Sequence, residues 1–94
     1  MEIKSFIIRD QEQLNNIHDN YRKHPPLVAA FDTETTGLSI VEDKPFLFQF
    51  GWYNLEIDTI FVGVIDLQYT VDAKSYIEQW HSWVKDAPIY LAHN

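Results

Sequence analysis

The apolar run Leu27-Val28-Ala29-Ala30 leads straight into Phe31-Asp32-Thr33-Glu34-Thr35-Thr36-Gly37-Leu38, and this junction constrains the chain more than any other stretch. The uncharged run reads as a buried strand. Strand side chains alternate between faces, so Asp32 and Glu34 project from the same side about 7 Å apart. Two carboxylates that close disfavour each other's charge unless something positive lies between them. A hard divalent cation such as Mg²⁺ is the simplest answer, because carboxylate oxygens are the ligands it prefers. The plainer alternative is a solvated acidic turn after an edge strand. Thr35-Thr36-Gly37 then reverses the chain, with Gly37 able to take a positive φ.

The rest of the chain supplies elements around that strand. A short strand is expected at Ser5–Arg9. Asp10 followed by Gln13 reads as an N-cap with its capping-box partner. The helix that follows carries Leu14, Ile17 and Tyr21 on one face and stops before Pro25-Pro26. Phe46–Trp52 and Thr59–Ile65 are rich in β-branched and aromatic residues. With the Leu27–Glu34 strand they predict a three-stranded antiparallel meander, since the connections are short. Ala73, Ile77, Trp80 and Val84 then recur at helical spacing, with Thr70 or Asp72 as the cap. Ile89–Ala92 reads as a fourth strand of the series, running into His93-Asn94. The fold class is therefore α/β: a meander, a helix and a fourth strand, preceded by a short strand and helix.

Composition narrows the function classes. A chain of 94 residues makes one small domain, and its 46% hydrophobic content suits a packed core rather than a disordered segment. No apolar run reaches the roughly 18–20 residues needed to cross a bilayer, so no membrane partner is expected. Met1-Glu2-Ile3-Lys4-Ser5 does not open a signal peptide. The lack of cysteine excludes disulfides and thiolate metal sites, and it fits a cytoplasmic protein. A net charge of −7 argues against a stand-alone DNA-binding module, which would meet phosphate with basic residues. It leaves open a nuclease whose carboxylates hold metal ions against the phosphate.

Phe-Asp-Thr-Glu-Thr-Thr-Gly-Leu after an apolar strand, then three strands, a helix, and a strand ending Leu91-Ala92-His93-Asn94, resembles the DEDD superfamily of 3′–5′ exonucleases. The first segment is similar to the family's first motif and the last to the opening of its second. The strand and helix ahead of the first motif, and the stretch Lys44–Phe50, are most similar to the proofreading domain of A-family, phage-type DNA polymerases.

The resemblance implies a partial ribonuclease-H-like fold, with residues 1–94 the N-terminal portion of one exonuclease domain cut shortly after the second motif begins. It implies that Asp32 is shared between two metal ions, Mg²⁺ or Mn²⁺. It makes Glu34 a ligand that also meets the terminal 3′-hydroxyl. It places the Thr35 backbone on that hydroxyl, Leu38 against the terminal bases and Asn94 near the terminal nucleotide. The implied reaction is hydrolysis at DNA 3′ ends during polymerase proofreading, in the cytoplasm or the cytoplasm of a phage-infected bacterium. Two further carboxylates and a water-orienting Tyr or His of the family are not among these residues, so the chain by itself is expected to bind Mg²⁺ weakly and not to cleave DNA. Its expected partners are a single-stranded DNA 3′ end and the remainder of an exonuclease–polymerase chain. An RNA-trimming exonuclease of the same superfamily and a non-catalytic polymerase-interaction module are the alternatives.

Apolar side chains of the Phe46–Trp52 and Thr59–Ile65 strands are also expected to face water and promote self-association. His18, His24 and His81 are read as surface or helix-face residues rather than ligands. Trp52, Trp80 and Trp83 are read as core rather than base-stacking platforms. Asp58, Asp66, Asp72 and Asp86 are read as caps and loop residues.

Overall fold

Period-two and period-3.6 patterns resolve into seven elements in a computed structural model, which describes residues 1–35 and 45–93, excluding the side chains of Thr35, Pro45 and His93. In order they are β1 (Glu2–Ile7), α1 (Gln11–Lys23), β2 (Val28–Thr35), β3 (Pro45–Asn54), β4 (Thr59–Asp66), α2 (Ala73–Val84) and β5 (Ile89–His93). The strands form a single mixed sheet in the order β1-β4-β3-β2-β5. Strands β2, β3 and β4 make the expected antiparallel meander. Both outer strands are parallel to their neighbours, β1 to β4 and β5 to β2.

The first strand lies earlier than its sequence pattern suggests. Pairing with Thr59–Val64 uses Glu2–Ile7, and Ile8 turns off the sheet edge to become fully buried, its amide still bonded to the Val64 carbonyl at 2.8 Å. Helix α1 begins at Asp10, whose carboxylate accepts from the Gln13 amide at 2.9 Å. Gln13 returns the favour one residue upstream of the usual place: its side-chain oxygen accepts from the Arg9 amide at 2.6 Å rather than from that of Asp10. At α2, Asp72 occupies the N-cap position without a side-chain bond to the helix. The preceding turn is instead tied by Asp66, which accepts from the amides of Gln68 and Tyr69.

One face of the sheet packs on both helices. Leu14, Ile17 and Tyr21 of α1 and Ala73, Tyr76, Trp80 and Val84 of α2 meet Ala29, Phe48, Phe50, Trp52, Phe61 and Ile65 of the strands. Trp80 is completely buried at the centre, its ring 4.4 Å from that of Phe50. Its indole N–H donates to the Tyr90 hydroxyl at 2.8 Å, linking α2 to β5. Trp83 is half-buried and stacks on His18. Trp52 and Trp80 are thus core residues as expected, and Trp83 packs at the core's edge.

The opposite face carries no helix from the described residues. It presents Ile3 and Ile7 of β1, Val28 of β2 and Ile89 and Leu91 of β5, all exposed, beside the half-buried Leu47, Ile60, Val62 and Val64. The expected exposure of strand apolar groups is therefore corrected in detail. Phe48, Phe50, Trp52, Phe61 and Ile65 are buried under the helices, and it is their alternate neighbours that meet water.

Candidate metal centre

Strand β2 explains how the acid pair is held. Ala29 and Phe31 point into the helix-covered core, so the residues between and after them, Ala30, Asp32 and Glu34, lie on the opposite, open face. Ladder pairing on both sides fixes this alternation, since β2 is an interior strand between β3 and β5. Asp32 stands in register with Gln49 of β3 on one side and His93 of β5 on the other. Glu34 stands in register with Leu47, which in turn faces Asp66 of β4. A register shift falls between Glu34 and Thr35, where Leu47 and then Pro45 are the partners. Such a bulge bends the strand end that carries the acids, a device common beside functional sites.

Asp32 is half-buried and Glu34 is exposed, so the two carboxylates differ in hydration although they share a face. Beside Asp32 the face dips into a shallow hollow of about 270 Å³, lined in part by Ala30, Gln49, Gly51 and Val62. Ala30 and Gly51 are cross-strand partners and form its floor. Gly51 is there for a steric reason: a Cβ at this position would sit 2.7 Å from the Phe61 carbonyl oxygen.

Comparison with known families, curated proteins and solved structures finds no match. Two carboxylates on one face are hard oxygen donors, the class that Mg²⁺ and Mn²⁺ accept. Mg²⁺ commonly takes one or two protein carboxylates and completes its shell with water and phosphate oxygens. The donor set at Asp32 and Glu34 fits that pattern. Among the described residues no group of three or more His, Cys, Asp or Glu side chains gathers into a closed metal site. Leu38 and Asn94, with the Thr36-Gly37 turn, lie outside the described residues, and of Thr35 only the backbone is described, at the end of β2.

His18, His24 and His81 assume structural positions. His18 stacks on Trp83 with ring centroids 4.1 Å apart, and burial holds its pKa below the ordinary value, aided by the Arg22 charge. His24 pairs with Glu56 at 2.6 Å. His81 lies against Phe31, Phe48 and Tyr90 on the helix-covered side of the sheet, away from the acid pair.

One neighbour of the site escaped sequence reasoning. Gln49 is the polar residue in the run Phe46-Leu47-Phe48-Gln49-Phe50, and that break in an apolar strand was the available signal. Asp66 lies one strand beyond Leu47 on the same face, but its carboxylate also closes the turn at Gln68 and Tyr69, in keeping with its reading as a cap.

Proposed function

We propose that Asp32 and Glu34 seat a divalent cation and supply part of the active site of a metal-dependent 3′–5′ exonuclease acting on DNA, in the manner of a polymerase proofreading domain. The observation that carries the reading is their common placement on the open face of an interior strand, next to a bulge. The sheet order supports it as well. Without β1, the remaining strands run β4-β3-β2-β5, with the acidic strand inside and a parallel partner beyond it. This is the arrangement expected of the ribonuclease-H-like fold that the sequence resemblance implies.

In this reading Asp32 and Glu34 hold Mg²⁺ or Mn²⁺, which when bound supplies Lewis-acid polarisation of a phosphodiester. The chain's own contribution is positional. The ladder on both sides of β2 fixes Asp32, while Glu34 reaches into water at the strand end, where the 3′-terminal group of a single strand would arrive. The Thr35 backbone, Leu38 and Asn94 are the proposed contacts to that terminal nucleotide. Two carboxylates are half of the family's set, and the members of such a set act together. The isolated chain is therefore proposed to bind the ion weakly without cleaving DNA.

The test is a Mn²⁺ titration followed by NMR on the 94-residue chain. Saturable broadening should centre on the amides around Asp32 and Glu34 and weaken at least about tenfold in Asp32→Asn. Broadening that is diffuse, or unchanged in an Asp32→Asn/Glu34→Gln double variant, would reject the site. Mg²⁺-dependent release of mononucleotides from a 3′-labelled single strand, lost in Asp32→Ala, would retain the site and overturn the proposal of inactivity.

A further inference from the structure

The face of the sheet that no described helix covers is not built like a face meant for water. In sheets solvated on one side, apolar and polar residues alternate cleanly, whereas strands covered on both sides read as continuous apolar runs. Here β2 reads Val28-Ala29-Ala30-Phe31 and β4 reads Ile60-Phe61-Val62-Gly63-Val64-Ile65. On the open face Ile3 is 61% exposed, Ile7 53% and Leu91 55%, and these lie on the two outer strands, so the apolar surface crosses the whole sheet. Half-buried Val62 and Leu47 lie on the strands between.

We infer that this face is the contact surface for a second copy of the chain, packed sheet on sheet. Area supports that occupant. Five strands about 4.8 Å apart and some seven residues long at about 3.3 Å each give roughly 550 Å² of flat face. Two copies together cover about 1,100 Å², just past the ~1,000 Å² that a specific contact needs and well short of an obligate dimer. Hollows interrupt the face over Ala30 and Gly51 and between Ile7, Leu47 and Val64, and each offers a receptacle for a protruding side chain of the partner.

Charge selects the orientation. Asp32, Glu34 and Asp66 all lie toward the C-terminal ends of β2 and β4, strands that run in the same direction. A twofold axis along the strands would place these three carboxylates of one copy over the same three of the other. An axis across the strands sends Glu34 and Asp66 of the two copies to opposite ends, at the rim, while Asp32 stays level with Val64. The pairing is therefore head to tail, and it leaves Glu34 accessible at the rim. It is independent of the metal reading: its failure would show in mass and not in Mn²⁺ binding.

Sedimentation velocity on the full chain across a concentration series tests this. A reversible monomer–dimer equilibrium with a dissociation constant on the order of 10–100 µM is expected for so small an interface. Val62→Lys and Leu91→Lys should each weaken it by more than about tenfold, because a desolvated charge is placed in the contact. Val71→Lys, at a fully exposed position ahead of α2, should leave it unchanged. Should Val62→Lys fail to fold by circular dichroism, Leu91→Lys on the outer strand carries the same test. A chain that stays monomeric up to about 500 µM overturns the proposal and leaves the face to another occupant, such as a helical partner. A dimer that survives in the folded Leu91→Lys variant overturns it as well.

Discussion

Gly63 governs the aromatic core through the side chain it lacks. A Cβ there would lie 2.3 Å from the Phe50 ring, which lies across the glycine and against Trp80. Gly63→Ala must push that ring off its seat, and such overpacking costs about 1–3 kcal/mol; an unchanged urea midpoint would show the ring to be less tightly placed. Trp52 makes the contrary case. Its indole N–H is buried without a hydrogen-bond partner among the described residues, a defect worth roughly 1–3 kcal/mol. Trp52→Phe deletes the orphan donor together with some packing, so its stability should stay within about 1 kcal/mol of the parent. Trp52→Ala should lose about 3–5 kcal/mol. Equal losses for the two variants, measured by chemical denaturation, would contradict this account. At this scale the acid pair was legible, because strand alternation alone places Asp32 and Glu34 on one face. Gly63 was not, since its role depends on a ring from a neighbouring strand, and Gln49 gained meaning only once the ladder set it opposite Asp32.

At the scale of elements, helix starts were easier to read than strand partners. Asp10 and Gln13 lie three residues apart and announce α1 locally; the cap bond to the Gln13 amide bears that out. Asp10→Ala should cost about 1 kcal/mol, within the 0.5–2 kcal/mol range of such caps, and should speed amide exchange in the first turn of α1. Slower exchange there, or unaltered stability, would mean that the Gln13–Arg9 bond carries the helix start unaided. The position of β1 resisted reading because its register is set by β4, more than fifty residues away, through pairs such as Glu2 with Thr59. Local pattern sees apolar residues from Ser5 onward; the pairing uses the earlier ones and sends Ile8 into the core. The meander was predictable for the opposite reason, its strands being joined by short connections. The parallel pairing of β5 with β2, which sets His93 beside Asp32, is non-local in the same way as that of β1.

In the whole molecule, two helices share one face of the sheet, and their mutual contact holds a titratable ring. His18 of α1 stacks flat on Trp83 of α2, while Gln11 and Gln79 exchange side-chain hydrogen bonds at 2.8 and 2.9 Å further along the same seam. Burial lowers the His18 pKa below its ordinary value of 6.5, the nearby Arg22 lowers it further and Asp19 opposes them in part. The folded chain therefore releases this proton more readily than the unfolded one. Between the ordinary and the lowered value the unfolded state binds more protons, so stability rises with pH through that window. The contribution of His18 is complete above about pH 6.5 and is lost as the pH falls through the lowered value. Melting temperature should accordingly decline from about pH 7.5 to about pH 5, with part of the decline removed in His18→Gln, which keeps a planar group against Trp83 and cannot take up a proton. Carboxylates elsewhere add their own acid sensitivity, and the difference between the two slopes isolates the ring at the helix seam. Identical slopes for parent and variant would place the pH sensitivity outside the α1–α2 contact.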